Sequence, residues 1–127
     1  MSINWSEVTI LIVEDDQDLI EGLIYFFNES GIKTFSALNG KEALKQIQKN
    51  KITVIISDLQ MPVMDGAELL KNLNAINSKI PFIFITGQTH FTDELAASMG
   101  AKGIIRKPYA FKGLLQQIQN TLETTVP

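Results

Sequence analysis

The segment TVIISDLQMPVMDG, residues 53–66, runs from a β-branched stretch into an acid, then through a proline-bearing loop to the turn pair Asp65-Gly66. Val54, Ile55 and Ile56 follow one another without polar interruption. A strand needs that pattern when helices cover both faces of its sheet, because then neither face meets water. The same pattern recurs outward from this segment. VTILIV (8–13) ends on Glu14, Asp15 and Asp16, PFIFI (81–85) ends on Thr86, and GII (103–105) ends just short of Lys107, while KTFSA (33–37) is a shorter candidate. With TVIIS (53–57) these make five predicted strands.

Helical spacing fills the gaps. Leu19, Leu23, Phe26 and Phe27 predict one buried helix face, as do Ala43, Leu44 and Ile47, then Leu69, Leu70, Leu73 and Ile76, and finally Leu114, Leu115, Ile118 and Leu122. A fourth helix over about 91–99 rests on the thinner set Phe91, Leu95, Ala96 and Met99. Asn39 with Glu42 and Asp65 with Glu68 have the spacing of N-terminal caps, and Gly31 and Gly100 fall where a left-handed residue closes a helix. Strand and helix therefore alternate five times. Right-handed crossovers turn that order into an open, doubly wound parallel sheet of the α/β class.

Composition bounds the function. The 127 residues, 45% of them hydrophobic, fit one domain (1–127, core about 8–123), with no repeat, linker or low-complexity segment and only a polar tail, TTVP, expected to fray. The absence of cysteine excludes disulfides, thiolate zinc sites and a cysteine nucleophile, and a single histidine argues against a multi-histidine metal centre. A net charge of −3 with Arg106 as the one arginine argues against nucleic acid as a partner. Apolar runs of about five or six residues are far short of a membrane span, and MSINWSE lacks the pattern of a signal peptide. A soluble, cytoplasmic domain is the expectation.

Open parallel sheets bind ligands in the crevice beyond the carboxyl ends of their strands. The residues placed there are Glu14, Asp15 and Asp16, then Asp58, Thr86 and Lys107. Carboxylates crowded together repel one another unless a cation intervenes, and an oxygen-only donor set selects a hard one such as Mg²⁺. A carboxylate, Mg²⁺, a lysine and a hydroxyl around one point are the parts of a phosphoryl-transfer site. Asp16 reads as a helix-start acid and stays structural. His90 reads as an exposed residue at the start of the fourth helix, and Phe26, Phe27, Phe82 and Phe84 as core.

ILIVEDD, ISDLQMPVMDG, FITG and the Lys107-Pro108 pair, in that order, resemble the receiver domain of two-component response regulators. The resemblance covers about residues 8–123 and implies a flavodoxin-like, three-layer sandwich of five strands in order 2-1-3-4-5. It implies that Asp58 accepts a phosphoryl group from a histidine kinase or phosphotransfer protein. By the same resemblance Asp15, Asp58 and the Gln60 carbonyl bind Mg²⁺ directly and Glu14 acts through water. Thr86 would hydrogen-bond the phosphate, and Lys107 would pair with it ahead of a cis peptide to Pro108. The domain would catalyse only its own phosphorylation and dephosphorylation, act on a downstream protein target or fused output domain, and be open to phosphorylation-dependent dimerisation. Two departures stand out. Ile104 occupies a place often held by an aromatic residue, and Gln60 and Gln88 occupy the two positions that often tune phosphate loss. The competing readings are a haloacid-dehalogenase-type phosphatase, disfavoured because Gln60 stands where a second acid belongs, a flavodoxin-like electron carrier, and a receiver-like interaction domain without phosphorylation.

Overall fold

The structure is a computed structural model and describes residues 3–125. After a short 3₁₀ turn at Trp5–Glu7, the elements are β1 (Thr9–Val13), α1 (Gln17–Glu29), β2 (Lys33–Ala37), α2 (Gly40–Lys49), β3 (Val54–Asp58), α3 (Gly66–Ala75), β4 (Phe82–Thr86), α4 (Asp93–Ser98), β5 (Gly103–Arg106) and α5 (Phe111–Thr125). The strands form one parallel sheet in the order β2-β1-β3-β4-β5, as the resemblance implied. The register sets Ile10 opposite Val54, Ile55 opposite Phe82 and Ile83 opposite Gly103.

Successive residues of each central strand feed different cores, because side chains alternate across the sheet. Ile10, Ile12, Val54, Ile56, Ile83, Ile85 and Ile105 pack with Ile20, Leu23 and Phe27 of α1 and with Leu114 and Ile118 of α5. Leu11, Val13, Ile55, Phe82, Phe84 and Ile104 pack with Ala43 of α2, Leu69, Leu70 and Leu73 of α3, and Ala96 of α4. That division is why the strands read as unbroken apolar runs.

The helix ends carry the expected chemistry. Asn39 Oδ1 accepts from the Glu42 N–H and Asp65 Oδ1 from the Glu68 N–H, both at 2.9 Å. Gly31 (φ 76°) and Gly100 (φ 96°) close α1 and α4. In each, the following residue donates back into the last turn, Ile32 to the Phe27 carbonyl at 2.9 Å and Ala101 to the Ala96 carbonyl at 3.0 Å.

Three expectations need correction. The buried face of α1 is Ile20, Leu23 and Phe27, whereas Leu19 and Phe26 are 41% and 48% exposed. Both sets have helical spacing, and only the placement of α1 against β1 and β3 chooses between them. Phe26 instead stacks on Phe111 of α5, with centroids 4.4 Å apart. Ile76 is not core either: it caps the end of α3 and is 66% exposed. Finally, α4 covers six residues, and Phe91, though buried, lies in the loop ahead of it. Thr124 and Thr125 of the polar tail belong to α5, and Val126 and Pro127 lie outside the described residues. Among the described residues, no helix is long and apolar enough to cross a membrane.

Candidate functional site

The site forms where β1, β3, β4 and β5 release their chains. Glu14 is the first residue beyond β1, and Asp15 follows it, exposed. Asp16 turns the chain into α1, its Oδ1 accepting from the N–H groups of Asp18 (3.0 Å) and Leu19 (3.3 Å), which confirms its structural part. Asp58 is the last residue of β3, one position further into the strand than the sequence pattern marked. Thr86 ends β4 and is 2% exposed. Lys107 follows β5, and its peptide to Pro108 is cis.

These residues converge. A carboxylate oxygen from each of Glu14, Asp15 and Asp58 lies within 4.8 Å of the others. Lys107 Nζ donates to Asp58 Oδ2 at 3.2 Å and sits 3.7 Å from Glu14 Oε1. Burial, a hydrogen bond with Asp58 and the Asp58 charge push the Glu14 carboxyl up to about 8, although Lys107 pulls it down. Burial works against the charge of Lys107, but Asp58 and Glu14 outweigh it and hold the ammonium above its ordinary value. Three oxygen donors at this spacing suit a hard divalent ion.

The loops around the cluster are shaped by close approach. A Cβ at Gly66 would collide with the carbonyl oxygen of Asp58, and one at Gly40 would come 2.7 Å from Met64 Cγ. Met64 N–H donates to the Pro62 carbonyl at 2.8 Å across a three-residue turn whose centre, Val63, has φ 69° and is 75% exposed. Gln60 is exposed in this loop, and its Oε1 accepts from Gln88 Nε2 at 2.9 Å, joining the loops after β3 and β4. His90 is exposed, as expected, and Ile104 is buried.

Two relationships escaped the sequence reading, the Gln60–Gln88 bridge and the side chain of Arg106. The Arg106 guanidinium donates to the carbonyls of Gln88 (2.9 Å) and Phe91 (2.6 Å). Its one legible signal was position, a five-donor cation at a strand end beside Lys107.

The family model of the response regulator receiver domain matches residues 10–119, and the chain belongs to that family. It is a receiver domain of two-component response regulators, a signalling domain. The response regulator SaeR of Staphylococcus aureus (strain USA300) is 32% identical over 114 residues, covering 89% of this chain and 50% of SaeR. The chain thus spans about half the length of the curated relatives it matches. The chemotaxis protein CheY4 of Vibrio cholerae superposes with a TM-score of 0.82 at 30% identity, over 90% of this chain and 98% of that one. The response regulator protein TrrA of Thermotoga maritima, solved in complex with Mg²⁺-BeF, gives a TM-score of 0.80 at 25% identity, over 90% of this chain and 98% of that one. Neither the phosphatase nor the electron-carrier reading draws support from these matches.

Proposed function

We propose that residues 1–127 form one receiver unit in which Asp58 is the phosphoryl acceptor, Thr86 and Lys107 assist, and Glu14, Asp15, Asp58 and the Gln60 carbonyl hold Mg²⁺. The observation that carries the reading is the 3.2 Å contact of Lys107 Nζ with Asp58 Oδ2 inside a cluster of three carboxylates. A carboxylate oxygen of Asp58 attacks the phosphorus of a phosphohistidine. The new P–O bond forms as the P–N bond breaks, and the imidazole leaves with the bonding pair. Lys107 stays beside Asp58 and neutralises an oxygen of the arriving group, while the Thr86 hydroxyl donates to another. When bound, Mg²⁺ supplies charge neutralisation for the carboxylates and the phosphoryl oxygens. The complex of TrrA with Mg²⁺-BeF supports the same pairing of ion and mimic here.

The partners of this reading are a sensor histidine kinase or phosphotransfer protein upstream, and a downstream protein or output domain, in the cytoplasm. Phosphorylation-dependent dimerisation fits the same scheme, and the domain acts as no enzyme beyond its own phosphorylation and dephosphorylation.

Incubation with acetyl phosphate and Mg²⁺, read by intact mass, tests the assignment. The wild type gains one base-labile phosphoryl group and Asp58→Asn gains none. Equal labelling of the two proteins removes Asp58 as the acceptor.

A further inference from the structure

The loop between β4 and α4 is held by a side chain that the reaction scheme above does not use. Arg106 ends β5 and stands in register with Thr86. Its guanidinium reaches past β4 to the carbonyls of Gln88 and Phe91, the two ends of a turn that Phe91 N–H closes onto the Gln88 carbonyl at 3.3 Å. Gln88 is therefore fixed on three sides. Its carbonyl is held by Arg106, its side-chain amide donates to Gln60 at 2.9 Å, and its backbone N–H donates to Thr86 Oγ1 at 3.0 Å. The far end of the turn is fixed as well, since the buried Phe91 ring meets Phe84 edge to face at 5.0 Å.

The consequence concerns the Thr86 hydroxyl. A hydroxyl has one proton to donate and lone pairs to accept with. In Thr86 the oxygen accepts from Gln88, so its own O–H is left to donate, and Thr86 is too buried for water to compete freely. Resting on the reading of Asp58 as acceptor, we infer that Arg106 is a positioning residue for phosphoryl binding: by holding the Gln88 carbonyl it aims the Gln88 N–H at Thr86 and leaves the Thr86 O–H preorganised for a phosphoryl oxygen on Asp58. Arg106 itself touches no reacting atom. A guanidinium suits the task because its planar fork reaches two carbonyls at once, which an ammonium on a single point does not.

The test is binding of beryllofluoride with Mg²⁺, a phosphoryl mimic, followed by titration. The variants are Arg106→Leu, Arg106→Lys, Thr86→Val and the double variant Arg106→Leu with Thr86→Val, with Asp58→Asn as control. Arg106 is exposed at its strand end, so its variants are expected to fold, and a wild-type-like amide NMR spectrum verifies this. Arg106→Leu weakens binding roughly threefold to tenfold, the size of one ordinary net hydrogen bond because Arg106 acts only through Gln88, and Arg106→Lys recovers only part of it. In the Thr86→Val background, where no hydroxyl remains to be aimed, Arg106→Leu has no further effect. Without any mimic, the Gln88 amide proton of Arg106→Leu exchanges faster than in the wild type. Unchanged affinity in Arg106→Leu, or an equal loss with and without the Thr86 hydroxyl, overturns the assignment. Equal binding by wild type and Asp58→Asn would instead sink the acceptor reading beneath it.

Discussion

Lys107 and Asp58, 49 positions apart in sequence, meet at 3.2 Å through an ammonium and a carboxylate oxygen. The contact exists because β5 and β3 flank β4 in one sheet and release their chains on the same rim. Lys107 also stands 3.7 Å from Glu14, so one cation counters two carboxylates.

Removing that cation should be felt most where no metal replaces it. Lys107→Ala is expected to lower stability by about 1 kcal/mol in chelator-treated buffer, a modest figure because the side chain is partly solvated. Mg²⁺ should recover most of the loss. Urea titrations with and without Mg²⁺ check this, and a loss that Mg²⁺ leaves untouched would place the lysine's contribution in packing.

The raised proton affinity of Glu14 gives a pH dependence with a definite sign. Its carboxyl moves from an ordinary 4.5 to about 8 on folding, so between those values the folded state binds more protons than the unfolded chain. Stability then falls as pH rises through that window. Melting curves without metal should show the fall in the wild type and a flatter profile in Glu14→Gln, which has no carboxyl to ionise.

A divalent ion binding the same oxygens competes with that proton and stabilises the folded state by mass action. Mg²⁺ should raise the melting temperature more at pH 8 than at pH 5, and Asp15→Asn should remove most of the rise. A full response in Asp15→Asn would move the ion elsewhere.

Gly66 has no room for a methyl group, because a Cβ there meets the carbonyl oxygen of Asp58. Gly66→Ala should destabilise the fold by about 3 kcal/mol, the upper end for overpacking. Phosphoryl uptake should also fall under conditions where the variant is fully folded, since the clash shifts Asp58. Chemical denaturation and intact-mass labelling report the two effects separately.

Val63 carries the opposite prediction. A β-branched residue at φ 69° pays a steric cost of about 1–2 kcal/mol, and glycine's greater freedom in the unfolded chain gives back only part of the gain. Val63→Gly should therefore stabilise by several tenths of a kcal/mol to about 1 kcal/mol, measured as a shift in the urea midpoint at constant slope.

Much of the architecture was legible in local sequence because it rests on local physics. Unbroken β-branched runs marked strands covered on both faces, Gly31 and Gly100 marked left-handed helix ends, and Asn39 and Asp65 marked helix starts, each through interactions within a few residues. The rim acids, Thr86 and Lys107 could be gathered in advance because parallel strands all release their chains on one edge. Tertiary structure alone decided the rest. Leu19 and Phe26 fit a helical face as well as Ile20 and Phe27 do, and the choice belongs to the sheet that α1 packs against. The Gln60–Gln88 bridge and the hold of Arg106 on the Gln88 and Phe91 carbonyls depend on β4 lying between β3 and β5 in a particular register. A one-residue change of register turns a side chain to the opposite face, so no spacing along the chain encodes which loop a strand-end side chain will meet.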